Sequence, residues 1–370
     1  MNILLLSWRD IFNPKSGGAE ILTWEIAKRW IKKGHSVTLF TSEYPNSLKE
    51  EVAEGVKIIR SGHPDLRFLF ASVHFRAFFY YKKSGRNVDA VVDQIHGMPF
   101  FTPLYVRKRK VALICEVADN LWFDLYGFFF GFLGRFIEIL YLKFIYARVP
   151  FVTISQSTKE ELIRNGVNEK HVTVLPMGLT VPRNIKKNVK KEHSLTLIYV
   201  GRLSKTKGIE DSIYALKKVL KIYKDAKLWI VGRGEEDYLR SLKKLVEKLG
   251  LRNEVIFFGF VSDEKKFELM AKAHILLAPS TKEGWGLIVP EAGFVGTPSI
   301  VYNSLGLRDI IIDRENGIVV KDNNPVSMAN EAVNLFRDKK FYQKLREKIF
   351  EDSRSYSWDK TADVALKAIV

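Results

Sequence analysis

A chain of 370 residues with 46% hydrophobic content is too long for one ordinary core and too apolar for disorder, so two folded domains are expected. A single cysteine, Cys115, excludes a disulfide framework and fits a reducing compartment. The formal net charge of +17 asks for an anionic partner, yet no helix-turn-helix, zinc-finger or RNA-recognition signature organises the basic residues. Nucleic acid is therefore not expected, and lipid headgroups or polyphosphate rank above it.

The chain opens on Met1-Asn2-Ile3-Leu4-Leu5-Leu6-Ser7, apolar, short and without a preceding basic region, which reads as a buried strand over 3–7 rather than a signal peptide. Asn13-Pro14-Lys15-Ser16-Gly17-Gly18 follows as a loop, and Leu22, Ile26, Ala27, Trp30 and Ile31 recur at helical spacing up to a cap at Gly34. Further strands are expected at 37–41, 56–60, 90–94, 111–115 and 151–155. Residues 176–193 contain Pro176, Pro182, Lys186, Lys187, Lys190 and Lys191 and read as an interdomain linker.

The grammar then restarts. Strands are expected at 195–200, 226–231, 255–258, 274–278 and 298–302, with helices at 209–222 and 236–249. Residues 1–175 and 194–352 thus form two Rossmann-like domains. A last helical pattern, within 353–370, is expected to return to the first domain. Parallel sheets bind ligands beyond the carboxyl ends of their strands, which places the expected active site in the cleft between the domains. No uncharged run approaches the length of a membrane-spanning helix.

Three loops at expected strand ends carry chemistry. Gly17-Gly18 lets the backbone approach a ligand closely, although a tight packing turn explains it equally. The Gly-x-Gly-x-x-Gly pattern of nicotinamide enzymes is absent. Gly201-Arg202-Leu203-Ser204-Lys205-Thr206-Lys207-Gly208 offers a planar guanidinium fork and a compact ammonium beside a helix start, without the order of residues in a P-loop. Glu283-Gly284-Trp285-Gly286-Leu287-Ile288-Val289-Pro290-Glu291 sets two carboxylates about a glycine-rich turn, with Pro290 expected to begin a helix. Taken separately, these are also what solvated surface residues look like.

Together they resemble one family. Gly17-Gly18-Ala19-Glu20, Val174-Leu175-Pro176-Met177-Gly178, Val200-Gly201-Arg202-Leu203, Lys207-Gly208, Ile230-Val231-Gly232-Arg233-Gly234, Phe257-Phe258-Gly259-Phe260-Val261 and the 279–291 segment are similar to the retaining glycosyltransferases of family 4. The resemblance spans nearly the whole chain. It implies an α/β GT-B fold of two facing Rossmann-like domains, and a nucleoside-diphosphate-sugar donor, UDP- or GDP-linked. Arg202 and Lys207 would neutralise the diphosphate in place of a metal, in keeping with the absence of an Asp-x-Asp pair and of zinc-type ligand spacing. Cofactors are not expected.

By the same resemblance, Glu283 would meet the sugar and Glu291 the ribose. Backbone amides of Trp285, Gly286 and Leu287 would hold phosphate, Gly17, Gly18 and Gly232 would lie against the donor, and Gly259, Phe260 and Val261 would border the base. Many relatives place a sugar-contacting histidine after the strand that here ends Ile114-Cys115-Glu116. Cys115 or Glu116 stands in its place, and His96 in Asp93-Gln94-Ile95-His96-Gly97 is the substitute candidate. No enzyme nucleophile is evident.

The aromatic run 66–83, edged by Arg67, Arg76, Lys82 and Lys83, suits an anionic membrane surface. The run 128–146 is similarly aromatic but interrupted by Arg135, Glu138 and Lys143; an ordinary buried helix with snorkelling cations is the alternative for both, and the net charge favours membrane contact. The expectation is a cytoplasmic enzyme, peripheral at the inner membrane face, acting on a lipid-linked or polysaccharide acceptor. The rivals are a catalytically silent sugar-nucleotide-binding subunit and a GT-B sugar-nucleotide epimerase.

Overall fold

The computed structural model describes residues 1–185 and 189–369. The chain divides into two compact units, Met1–Gly178 together with the residues from Ser357 onward, and Leu179–Tyr356.

In the first unit the elements run β1 (Asn2–Leu6), α1 (Gly18–Lys32), β2 (Ser36–Thr41), β3 (Glu50–Ala53), β4 (Val56–Arg60), α2 (Val73–Ser84), β5 (Ala90–Ile95), β6 (Arg109–Ile114), α3 (Leu121–Leu140), β7 (Phe151–Thr153), α4 (Gln156–Arg164) and β8 (Val172–Val174). The strands form one sheet in the order β3-β4-β2-β1-β5-β6-β7-β8. All neighbours are parallel except β3 and β4, an antiparallel hairpin. Glu54 and Gly55 turn that hairpin with φ of 48° and 83°, the two consecutive positive values of a tight two-residue turn. Strand β3 is an edge strand at a stretch that the sequence reading leaves unassigned.

Helix α1 forms because Leu22, Ile26, Ala27 and Trp30 share one face, all buried against the sheet. Its start is held by the Glu20 carboxylate, which accepts the Gly17 N–H at 2.7 Å.

The second unit contains β9 (Thr196–Val200), α5 (Ile209–Val219), β10 (Lys227–Val231), α6 (Glu236–Lys248), β11 (Val255–Gly259), α7 (Asp263–Lys272), β12 (Ile275–Ala278), α8 (Ile288–Phe294), β13 (Ser299–Tyr302), β14 (Ile318–Val320), α9 (Pro325–Arg337) and α10 (Lys339–Ser353). Its wholly parallel sheet has the order β11-β10-β9-β12-β13-β14. Near-continuous apolar strands follow from burial on both faces: every residue of β9, β12 and β13 is buried.

The chain then returns to the first unit as α11 (Trp358–Ile369), which packs on α1. The Trp30 indole N–H donates to the Ala362 carbonyl at 2.9 Å, and Arg29 pairs with Asp359 at 2.6 Å. The stretch read as a linker is divided by the structure. Lys186 and Lys187 lie outside the described residues, while Glu192 N–H donates to the Lys272 carbonyl at 3.0 Å. The Lys191 ammonium donates to the Ala273 carbonyl at 2.6 Å and to the Thr297 hydroxyl oxygen at 2.7 Å. Burial brings Lys191 down to a pKa of about 7.

Candidate functional site

In the second unit, strand order reverses between β9 and β12, so the loops leaving these two strands flank a topological switch point. The first loop carries Arg202 and Lys207, the second Glu283. Both the N–H and the hydroxyl of Thr281 donate to the Thr206 carbonyl, at 3.0 and 3.2 Å. Gly208 passes so close to Pro279 that a Cβ there would lie 2.3 Å from its carbonyl oxygen. These contacts bring Lys207 Nζ to 2.7 Å from Glu283 Oε1, in a half-buried ion pair. The Ser280 hydroxyl donates to the same carboxylate oxygen at 2.9 Å. Arg202 stands exposed beside the pair, its own carbonyl taken by the Tyr199 hydroxyl at 2.9 Å.

The 284–287 loop is pinned from below. Glu283 N–H donates to the Leu305 carbonyl at 3.2 Å, and the buried Trp285 meets Tyr356 edge-on with centroids 5.1 Å apart. Among the described residues, none accepts a hydrogen bond from the N–H of Trp285, Gly286 or Leu287. Helix α8 begins at Ile288, so Pro290 is its third residue and not its first. The expected consequence survives the shift, since N–H groups throughout the first turn lack an intrahelical acceptor.

Glu291 does not share the Lys207 pair. It meets Lys266 of α7, Nζ to Oε1 2.9 Å, and Lys266 also holds Asp263 at 3.1 Å. Burial raises the Glu291 pKa, and the Lys266 charge draws it part of the way back. Burial works against the Lys266 ammonium too, but Glu291 and Asp263 outweigh it and its pKa lies above the ordinary value. Sequence reasoning missed Lys266, one lysine among several on a polar helix, with no local signal to set it apart.

Glycines end three adjacent strands. Gly201 N–H donates to the Val231 carbonyl at 3.0 Å and Gly232 N–H to the Gly259 carbonyl at 2.8 Å. Gly232 has φ of +142°, and a Cβ on it would lie 1.8 Å from the Gly201 carbonyl oxygen, so no side chain fits. Beyond Gly259, Phe260 is 71% exposed, with the Arg233 guanidinium 4.7 Å from its ring centroid and Val261 half-buried beside it. Arg233 is the second residue missed as a member of the site.

The first unit has its own switch point, between β1 and β5. Gly17 and Gly18 begin the helix after β1, and His96 follows β5. The Gln94 amide donates to the Ala19 carbonyl at 3.1 Å, tying the end of β5 to the start of α1. Exposed His96 stacks on Trp8 at 4.6 Å, and the Arg9 guanidinium lies over the Trp8 ring at 3.7 Å. Cys115, at the end of β6, is buried, and its carbonyl accepts the Thr158 hydroxyl at 3.1 Å. Burial, then the neighbouring Glu116 and Glu20 charges, push its thiol far above the ordinary range. Glu116 is half-buried. Among the described residues, no three or more His, Cys, Asp or Glu are grouped to hold a metal ion.

The family model described as glycosyltransferase family 4 matches residues 16–182, and that described as glycosyl transferases group 1 matches residues 180–352. The chain belongs to the family 4, group 1 glycosyltransferases. An uncharacterised glycosyltransferase of Methanocaldococcus jannaschii is 28% identical to this glycosyltransferase over 98% of its chain and 96% of the relative. The phosphatidylinositol N-acetylglucosaminyltransferase gpi3 subunit of Schizosaccharomyces pombe is 26% identical, over 82% of this chain and 66% of that protein. Among solved structures, Anabaena HepE in complex with UDP-glucose superposes with a TM-score of 0.74 at 18% identity, covering 100% of both chains. The fold is GT-B, two Rossmann-like units built on parallel sheets, with β3 the antiparallel exception.

Proposed function

We propose that this glycosyltransferase takes a nucleoside-diphosphate-sugar as donor and transfers the sugar, with retention and without a metal, to a lipid-linked or polysaccharide acceptor. The observation that carries the reading is the half-buried Lys207–Glu283 pair beside exposed Arg202 and the open amides of 285–287, all at one switch point. Two cations and a row of amides suit a diphosphate, the charge of which grows as the anomeric bond breaks. Glu283 takes the hydroxyls of the sugar and Glu291, paired with Lys266, those of the ribose.

Strand β11 is two strands from β9, so Phe260 lies about 10 Å from the diphosphate loop, a span suited to a nucleoside. Its exposed ring under Arg233 offers the base a stacking surface. In the transfer step the anomeric C–O bond to the diphosphate breaks, and the acceptor oxygen forms the new bond on the same face. The proton of the acceptor passes to the departing phosphate oxygen. Orientation and leaving-group stabilisation account for the rate.

The name of the phosphatidylinositol-directed relative and the UDP-glucose complex of HepE support the acceptor and donor classes. The proposal includes peripheral action at the cytoplasmic face of a membrane. Among the described residues no helix is long and apolar enough to cross one. A thermal-shift panel of nucleoside diphosphates and their sugars tests the donor. A ligand at a thousand times its dissociation constant stabilises by about 4 kcal/mol. Binding of a sugar nucleotide with neither hydrolysis nor transfer in the presence of membrane-extract acceptors would reduce the chain to the silent binding subunit.

A further inference from the structure

Helix α3 is not a single rod. Gly127, with φ of 73° and ψ of −179°, breaks it, and the two arms fold back on each other. A Cβ on Gly131 would lie 2.7 Å from Phe123 Cα, and one on Gly134 would lie 2.4 Å from the Trp122 ring, so glycine is what lets the arms touch. Buried Glu138 clamps the base of this helical hairpin, accepting from Ala118 N–H at 2.8 Å, Asp119 N–H at 2.9 Å and the Trp122 indole at 3.2 Å. The tip is a different environment. Phe128, Phe129 and Phe130 are 83%, 76% and 64% exposed, and Tyr126 and Phe132 beside them are exposed as well.

The hairpin stands at the carboxyl edge of the first sheet. Gly97, following β5, lies against Trp122, and its carbonyl accepts the Tyr141 hydroxyl at 2.8 Å. Across the same loop, His74 at the start of α2 contacts the Met98 carbonyl at 3.3 Å and stacks on Phe100. The turn before α2 exposes Phe68 and Phe70, and α2 itself exposes Phe79, Arg76, Lys82 and Lys83. Residues 66–83 carry no carboxylate. Two aromatic protrusions therefore flank the His96–Met98 loop, one of them edged by cations alone.

We propose that this edge dips into an anionic lipid leaflet, with the Phe128–Phe130 tip immersed and Arg76, Lys82 and Lys83 on the headgroups. Three consecutive helical residues point about 100° apart, so no flat or grooved partner covers all three rings at once, whereas a fluid interface surrounds them. Charge decides against a second copy as the occupant: the chain carries a net +17 and repels itself, while an anionic leaflet attracts it. The proposal deepens the lipid-linked acceptor reading and rests on it for one consequence, that a membrane-bound acceptor arrives at the His96 loop from the leaflet.

The test uses the full chain and no sugar. Vesicles of phosphatidylcholine with about one third phosphatidylglycerol should co-sediment the protein, and Phe128→Ser/Phe129→Ser/Phe130→Ser should lower that affinity about tenfold or more. Nucleoside diphosphate binding, in the other unit, should be unchanged, and an unchanged far-ultraviolet circular dichroism spectrum with cooperative thermal unfolding shows that the first unit of the variant folds. An environment-sensitive dye on Phe129→Cys should shift to the blue with these vesicles, and the same dye on Lys248→Cys in α6 should not. An unchanged affinity in the triple variant, or no wild-type binding to these vesicles, overturns the proposal. So does a dye shift that follows protein concentration without vesicles, which would make the occupant a second copy. Vesicle binding without any nucleoside diphosphate binding would instead defeat the donor reading and leave this one standing.

Discussion

Removing the Lys207 ammonium leaves Glu283 with Ser280 as its remaining partner and takes a positive charge from the strand-end loop. Lys207→Ala and Arg202→Ala should each slow transfer or weaken donor binding by about two to three orders of magnitude, read from steady-state kinetics and calorimetric titration. Unchanged donor kinetics would remove the assignment. Glu291→Ala should act mainly on binding, raising the dissociation constant for a nucleoside diphosphate while leaving kcat nearly intact, under the proposal that it holds the ribose hydroxyls.

His274 gives a residue-scale prediction about stability. Its Nδ1 accepts the Thr196 N–H at 3.0 Å, and burial, then Lys191 and Lys339, lower its pKa from 6.5 to about 4. The unfolded chain therefore takes the proton first as pH falls. The contribution is fully present above pH 6.5 and is lost between there and about pH 4. Its size is up to roughly 2 kcal/mol after solvent screening. Urea unfolding of His274→Gln should show a flatter pH dependence across that window; an undiminished slope would assign the effect elsewhere.

At the scale of elements, the glycine-terminated strands show what local sequence does and does not reveal. Gly232 was legible as a residue at a strand end, but its reason, contact with the Gly201 carbonyl, comes from the neighbouring strand. Gly232→Ala should move both loops, costing about 2 kcal/mol or more of stability and weakening donor binding together, measurable by denaturation and titration. The long apolar strands were readable because burial on both faces leaves a continuous signature. Strands β8 and β14, three residues each, are too short to show a period. The aromatic run of α3 was readable as composition alone. Its reversal at Gly127 was not, because a positive φ is a backbone state that the residue permits without announcing.

For the molecule as a whole, the return of α11 to the first unit has a measurable consequence. Its Trp358, Ala362, Ala365 and Ile369 are buried, and it covers Trp30. Deleting 357–370 should uncover that face, lowering the stability of the first unit and shifting tryptophan emission to the red. The ligand-induced thermal shift of the second unit should persist; its loss would mean that the units do not fold independently. Family membership, the alternation of strand and helix, and the loops bearing Arg202, Lys207 and Glu283 were determined by the sequence alone, because each is written in contiguous residues. Tertiary structure decided which side chains meet: Lys207 with Glu283, Lys266 with Glu291, and His96 with Trp8. It also left the Phe128–Phe130 tip exposed while burying Cys115. The reason is physical. Partners and exposure depend on which strands become neighbours, and that depends on the packing of the whole sheet rather than on any local run of residues.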